Sequence, residues 1–272
     1  MQAIGVFDSG YGGLTVHRAI TSLLPQYDYL YLGDNARSPY GTRSFETVYQ
    51  YTLQAVEWLF AQGCPLVILA CNTASAKALR SIQQRNLPHM PDPSKRVLGV
   101  IRPTTEVLGT FTNTGHIGIM ATQGTVQSAS YLLEMEKFWP RVQVHQQACP
   151  MWVPLIENNE QDDDGADYFV NKYLNALLAL HPAIDTLLLA CTHYPLMYAK
   201  IRAATPASIT LLSQGDMVAQ SLQQYLVRHP QMEQRISQGG QRLFFTTDDE
   251  TDFSQLGTRF YGSQVAASHV NL

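Results

Sequence analysis

Two pairs of short apolar segments recur in this chain, in the same order and at nearly the same distance. Ile4-Gly5-Val6-Phe7-Asp8-Ser9-Gly10 is matched by Ile117-Gly118-Ile119-Met120-Ala121-Thr122-Gln123, 113 residues later. Leu66-Val67-Ile68-Leu69-Ala70-Cys71-Asn72-Thr73 is matched by Thr186-Leu187-Leu188-Leu189-Ala190-Cys191-Thr192-His193, 120 residues later. Apolar runs look alike by chance, but here the polar residue types that follow each run also correspond. Two similar units explain both offsets.

Apolar runs alternate with segments of helical periodicity along the whole chain. Expected strands are Ile4–Phe7, Tyr29–Leu32, Leu66–Ala70, Val97–Ile101, Ile117–Ala121, Val142–Gln146, Thr186–Ala190, Ile209–Leu212 and Leu243–Thr246. Helical periodicity covers Phe45–Gln62, Thr125–Phe138, Ala166–Leu180 and Asp216–Val227. The alternation predicts an α/β fold with mainly parallel sheets. Leu87–Pro93 is proline-rich and reads as a linker. We therefore expect two similar, pseudo-symmetric α/β domains with the active site in the cleft between them. The first takes residues 1–98 plus 209–272 and the second takes 99–208. The C-terminal segment is too small to stand alone and is expected to pack back on the first domain.

Each repeated cysteine follows a buried strand, where α/β proteins place their ligands. Two thiols delivered this way, one per half, suit chemistry in which a proton leaves one face of a carbon and returns to the other. Each is expected at a helix N-terminus, where the dipole favours thiolate. The plain alternative is that each is a small buried hydrophobe; the matched contexts argue against it. Cys64 and Cys149 lack that context and read as structural. His193 lies two residues after Cys191, within reach of the same pocket. No C-x-x-C or H-x-x-x-H spacing supports a zinc site made by Cys71, Cys191 and His193, so no metal is expected.

Asp8-Ser9-Gly10-Tyr11-Gly12-Gly13 follows the first strand, and its glycines let the backbone approach a ligand. A tight turn with Asp8 as a cap is the simpler reading. The spacing is not G-x-G-x-x-G, so a dinucleotide site is weakly supported. Gly33-Asp34-Asn35-Ala36-Arg37-Ser38-Pro39-Tyr40-Gly41 is a polar loop after a strand, of the kind that binds substrate. Glu157 follows an apolar stretch and is a candidate supporting carboxylate. The run Asp162–Asp164 lacks alternating ligand spacing and reads as a solvated loop. No Walker loop, G-x-S-x-G elbow or H-E-x-x-H is present.

A formal charge of −4 and a pI near 6.0 give no reason to expect a nucleic-acid partner. The first residues lack a signal-peptide pattern, and no stretch approaches the ~20 apolar residues of a membrane span. A cytoplasmic enzyme with free thiols is expected.

Six motifs, spanning nearly the whole chain, together resemble the glutamate racemases of the cofactor-independent aspartate/glutamate racemase superfamily. They are IGVFDSGYGG (4–13), GDNARSPYG (33–41), ACNTASA (70–76), VPLIE (153–157), ACTHYPL (190–196) and FFTTD (244–248). The resemblance implies two α/β domains and interconversion of L- and D-glutamate, which supplies D-glutamate for peptidoglycan. It implies no pyridoxal phosphate, metal or nucleotide, and commonly a homodimer. It makes Cys71 and Cys191 the acid/base thiols, with Asp8 supporting the first and His193 the second. Ser9, Tyr40, Gly41, Asn72, Thr73, Thr122 and Thr192 resemble substrate-binding positions. Asp34 and Glu157 resemble further polar site residues.

Two departures stand out. Asn35 takes the place of a usual Thr, which bears on loop detail. Val100-Ile101-Arg102-Pro103-Thr104-Thr105 replaces the commoner Ile-Glu-Pro-Gly, which bears on the hinge and on the cleft field. The chain begins directly at its first strand, so the precursor-activated regulation of members with an N-terminal extension is not expected. The alternatives are an aspartate racemase, since related members share both thiols, and a non-catalytic amino-acid-binding or inhibitory protein. A mere binder has no use for bases on opposite faces.

Overall fold

A computed structural model describes residues 2–272; Met1, the first residue of the expected first domain, lies outside the described residues. Among the described residues ten strands form two sheets, and every strand pair is parallel. The strands are β1 Ile4–Asp8, β2 Tyr29–Gly33, β3 Leu66–Leu69, β4 Arg96–Gly99 and β5 His116–Ala121. They continue with β6 Gln143–Ala148, β7 Thr186–Ala190, β8 Thr210–Ser213, β9 Arg242–Thr246 and β10 Ala267–His269. The first sheet runs β10-β9-β2-β1-β3-β4 and the second β6-β5-β7-β8.

The pseudo-symmetry extends to register. Ile4 pairs with Leu66 across β1 and β3, and Ile117 pairs with Thr186 across β5 and β7. These pairs are related by the same 113- and 120-residue offsets read from the sequence. The order β2-β1-β3-β4 thus repeats as β6-β5-β7-β8, with β9 and β10 added to the first sheet. Strands β1, β2, β3 and β7 are buried throughout, as expected where helices cover both faces of a parallel sheet.

Several expectations need correction. The chain returns to the first sheet later than residue 209, because β8 pairs with β7 in the second sheet and only β9 rejoins the first. The run Leu211-Leu212 cannot report which sheet it joins. β10 was not expected: Ala-Ser-His is short and carries no apolar run. β6 is a half-buried edge strand rich in glutamine, which blurred its boundaries. The helical segment expected over Thr125–Phe138 is two helices, Gln123–Gln127 and Ser130–Phe138, broken where Ala129 turns left-handed at φ 53°. The strand expected to reach Ile101 stops at Gly99, and a helix over Ile101–Leu108 begins the passage into the second sheet.

Strand order reverses at β1/β3 in one sheet and at β5/β7 in the other, and such switch points open crevices at strand C-termini. Asp8 and Cys71 stand at the first, Ala121 and Cys191 at the second. Among the described residues no helix is long and apolar enough to cross a membrane.

Candidate active site

The two crevices merge into one cavity. Cys71, Cys191, His193, Ser9, Tyr40, Gly41, Asn72, Thr73, Thr122 and Thr192 all line it. Asp8, Asp34 and Glu157 do not line it, and each instead holds a residue that does. Asp8 is fully buried; its Oδ2 accepts from the Gly10 amide at 3.0 Å and its Oδ1 from Thr192 Oγ1 at 3.4 Å. Asp34 accepts from the Tyr40 hydroxyl, from Arg37 Nε at 2.7 Å and from Thr247 Oγ1 at 2.9 Å. The Thr246-Thr247 pair therefore anchors the loop that carries Tyr40. Glu157 Oε1 lies 2.9 Å from Nε2 of His193.

The two halves are joined across the cavity. Thr15 Oγ1 donates to the Thr192 carbonyl at 2.8 Å, and the Gly124 amide donates to the Gly41 carbonyl at 2.8 Å. Thr73 Oγ1 and Thr122 Oγ1 are 3.0 Å apart. Gly12 is required by this contact: a Cβ there would sit 2.3 Å from both His193 Nδ1 and Thr192 Oγ1.

The thiols differ in setting. Cys71 caps the helix Asn72–Lys77, its Sγ accepting from the Ala74 amide at 3.4 Å and lying 3.5 Å from Ser9 Oγ. Burial and the neighbouring Asp8 charge nevertheless push this thiol up to about 12, against the expected helix-terminus effect. Two hydrogen bonds at the end of a six-residue helix do not offset full desolvation. Cys191 caps no helix; the chain after it forms a short 3-10 turn over Tyr194–Met197. Its charge partner is His193 instead, whose Nδ1 lies 3.9 Å from Sγ. Burial works against a charged His193, but its bonds to Cys191 and Glu157 outweigh that and raise it to about 10. Desolvation likewise raises Asp8, opposed chiefly by the His193 charge. At neutral pH the site thus holds a protonated Cys71 thiol on one side. On the other, an imidazolium is placed to stabilise a Cys191 thiolate.

Sequence reasoning missed Cys149, which also lines the cavity, at the C-terminal end of β6. The signal was there: Ala148-Cys149 repeats the Ala-Cys pair of the other two strand ends. Burial raises its thiol well above the ordinary range. Of the departures, Asn35 is buried and its Oδ1 accepts from Thr246 Oγ1 at 3.3 Å, so it helps tie down the loop that carries Tyr40. Arg102 lies away from the cavity, exposed, paired with Glu106 at 3.0 Å and stacked over Phe138.

A separate histidine trio, His116, His145 and His181, has ring nitrogens within 4.8 Å of one another at the opposite end of the second sheet. His116 and His181 stack at 3.7 Å with only 6° between ring planes, and His181 Nδ1 accepts from the Ala183 amide. His116 Nδ1 and His145 Nε2 lie 3.2 Å apart.

The family described as Asp/Glu/Hydantoin racemase matches residues 14–222. A glutamate racemase of Geobacter metallireducens is 37% identical over 97% of this chain and 94% of its own length. The crystal structure of glutamate racemase isoform RacE1 from Bacillus anthracis superposes with TM-score 0.89 at 33% identity, covering 100% of this chain and 98% of that one. Glutamate racemase from Francisella tularensis, solved in complex with D-glutamate, gives TM-score 0.85 at 28% identity over 99% and 97%. With two strand-end thiols facing one cavity and these likenesses along its whole length, the chain belongs to the Asp/Glu/hydantoin racemase family of amino-acid isomerases.

Proposed function

We propose that this chain interconverts L- and D-glutamate by a two-base, two-thiol reaction that uses no cofactor and supplies D-glutamate for peptidoglycan synthesis. The observation that carries the reading is the pair of thiols, Cys71 and Cys191, brought to one cavity from corresponding strand ends of two repeated units. A Cα–H bond is a very weak acid, and the carbanion formed here has no electron sink. Preorganised hydrogen-bond donors must carry much of the barrier. Asn72, Thr73 and Thr192 line the cavity and supply such donors for the α-carboxylate.

The family resemblance implies the directions. The Cys191 thiolate, held by His193 and Glu157, takes the proton from L-glutamate, while the Cys71 thiol donates to the opposite face. Starting from D-glutamate, Cys71 takes the proton and Cys191 returns one. Asp8 is the group behind Cys71, and its buried charge raises the basicity of that thiolate once formed. No lysine lines the cavity among the described residues, which argues against a Schiff-base reaction.

Circular dichroism of pure L- and pure D-glutamate, with chelator and no added cofactor, tests this. Both signals are expected to decay to zero, and aspartate to turn over more slowly. Faster turnover of aspartate would assign the chain to the other substrate. Binding without loss of signal would make it a binding protein.

A further inference from the structure

We propose that Gln214 is a positioning residue for this site: it fixes which way the Asn72 amide faces, so that the substrate meets a hydrogen-bond donor. The inference rests on the racemase reading. Gln214 follows β8 in the second sheet, 4% exposed, yet reaches Asn72 of the first unit. Three buried bonds tie it in, and a fourth closes the ring. Asn72 Nδ2 donates to Gln214 Oε1 at 2.7 Å, and Tyr131 OH donates to Asn72 Oδ1 at 2.7 Å. Gln214 Nε2 donates to Tyr131 OH at 2.7 Å and to Thr104 Oγ1 at 2.9 Å.

The direction of these bonds is forced from outside the ring. Thr104 Oγ1 lies 2.8 Å from the Val100 carbonyl, which only accepts, so the Thr104 hydrogen is used there. Thr104 must then accept from Gln214, which puts Nε2 toward Thr104 and Tyr131. Oε1 is left to face Asn72, and an oxygen can only accept. Asn72 therefore turns Nδ2 toward Gln214 and Oδ1 toward Tyr131, whose own hydrogen is free because its lone pair receives Nε2. Every member of the ring is satisfied in this one sense only.

Nδ2 of Asn72 carries a second hydrogen, and Asn72 lines the cavity. A carboxylate accepts and does not donate. A flipped Asn72 would aim its oxygen at the substrate's carboxylate, exchanging an attraction for a repulsion. Without Gln214 nothing in this ring sets the sense.

The test is a double-substitution cycle in the full-length enzyme. Gln214→Met keeps length and removes the donors and the acceptor. It is expected to lower kcat/KM about 10-fold, mostly through KM, with a matching loss of D-glutamate affinity by calorimetry. In an Asn72→Ala background the same change is expected to alter either quantity by less than about twofold, because the residue it acts through is gone. An unchanged kcat/KM, or the full loss persisting without Asn72, would overturn the proposal. If Gln214→Met does not fold, Thr104→Val, which keeps the shape and removes the acceptor that fixes the Gln214 amide, is read the same way. Calorimetry separates the two readings: binding that follows this pattern without racemisation would sink the racemase reading and leave Gln214's role standing.

Discussion

Glu157→Gln isolates the electrostatics of the Cys191 side. The substitution is isosteric and removes one negative charge 2.9 Å from His193 Nε2, at a site where the carboxylate is a quarter exposed and the imidazole nearly enclosed. A hydrogen bond to a charged group contributes about 1.5–3 kcal/mol, which is about 1–2 pH units. His193, raised to about 10 in the intact site, should therefore titrate about 1–2 units lower in the variant. An imidazolium that is a stronger acid stabilises negative charge on the Cys191 side less well, so kcat/KM should fall about 10- to 100-fold. Enantiomers have equal free energy in water, so kcat/KM must fall by the same factor from either one. The stability change has a definite sign. A raised histidine stabilises the fold fully below its unfolded value of about 6.5, and that stabilisation is lost as pH rises through about 10. The variant should thus be less stable than the parent near pH 7 and approach it above pH 10. Racemisation is followed by circular dichroism, His193 titration by NMR of labelled histidine, and stability by denaturant unfolding at both pH values. Unchanged kcat/KM at pH 7, together with a stability difference that ignores pH, would refute the imidazolium account.

Three further outcomes are expected. Gly12→Ala forces a Cβ into His193 and Thr192, which should cost about 1–3 kcal/mol and most of the activity; a crystal structure with His193 unmoved and normal kcat/KM would contradict this. His17 is fully buried among Tyr29, Phe244 and Tyr261, and burial lowers it to about 3. Between pH 6.5 and 3 the unfolded chain binds a proton that the fold does not, so stability falls with pH. Between pH 7 and 5 the parent should lose about 2 kcal/mol more than His17→Phe, and equal losses would exclude the effect. Cys71→Ser and Cys191→Ser should each abolish racemisation, because a serine hydroxyl stays neutral near pH 7 and every turnover needs both faces. Each variant should retain elimination from an analogue with a β-leaving group, with opposite enantiomer preferences. Near-parental racemisation by either variant would refute the assignment.

The parts of the molecule legible in the sequence are those set by local chemistry. β1, β3 and β7 are short continuous apolar runs, so burial on both faces was readable from composition alone. The register repeat between β1/β3 and β5/β7 followed from residue offsets. Cys71 and Cys191 reach one cavity because each ends a strand beside a switch point, and that context was visible at both. What escaped depends on distant partners. β8 has the same leucines whichever sheet it joins. Cys149 sat at a polar edge strand whose ends were blurred. Gln214 acts only because residues 72, 104 and 131 come to it through packing. The protonation of Cys71 was misread because helix-terminus amides can be inferred locally, whereas full burial beside Asp8 cannot.

The claim that two thiols work on opposite faces is tested most directly by racemisation in deuterated water, stopped early. Starting from L-glutamate, the first D-glutamate formed should carry deuterium at Cα, delivered by the exchanged Cys71 thiol. The L-glutamate that remains should keep its hydrogen. D-glutamate that retains the substrate's own hydrogen would mean one group serves both faces, and would contradict the account.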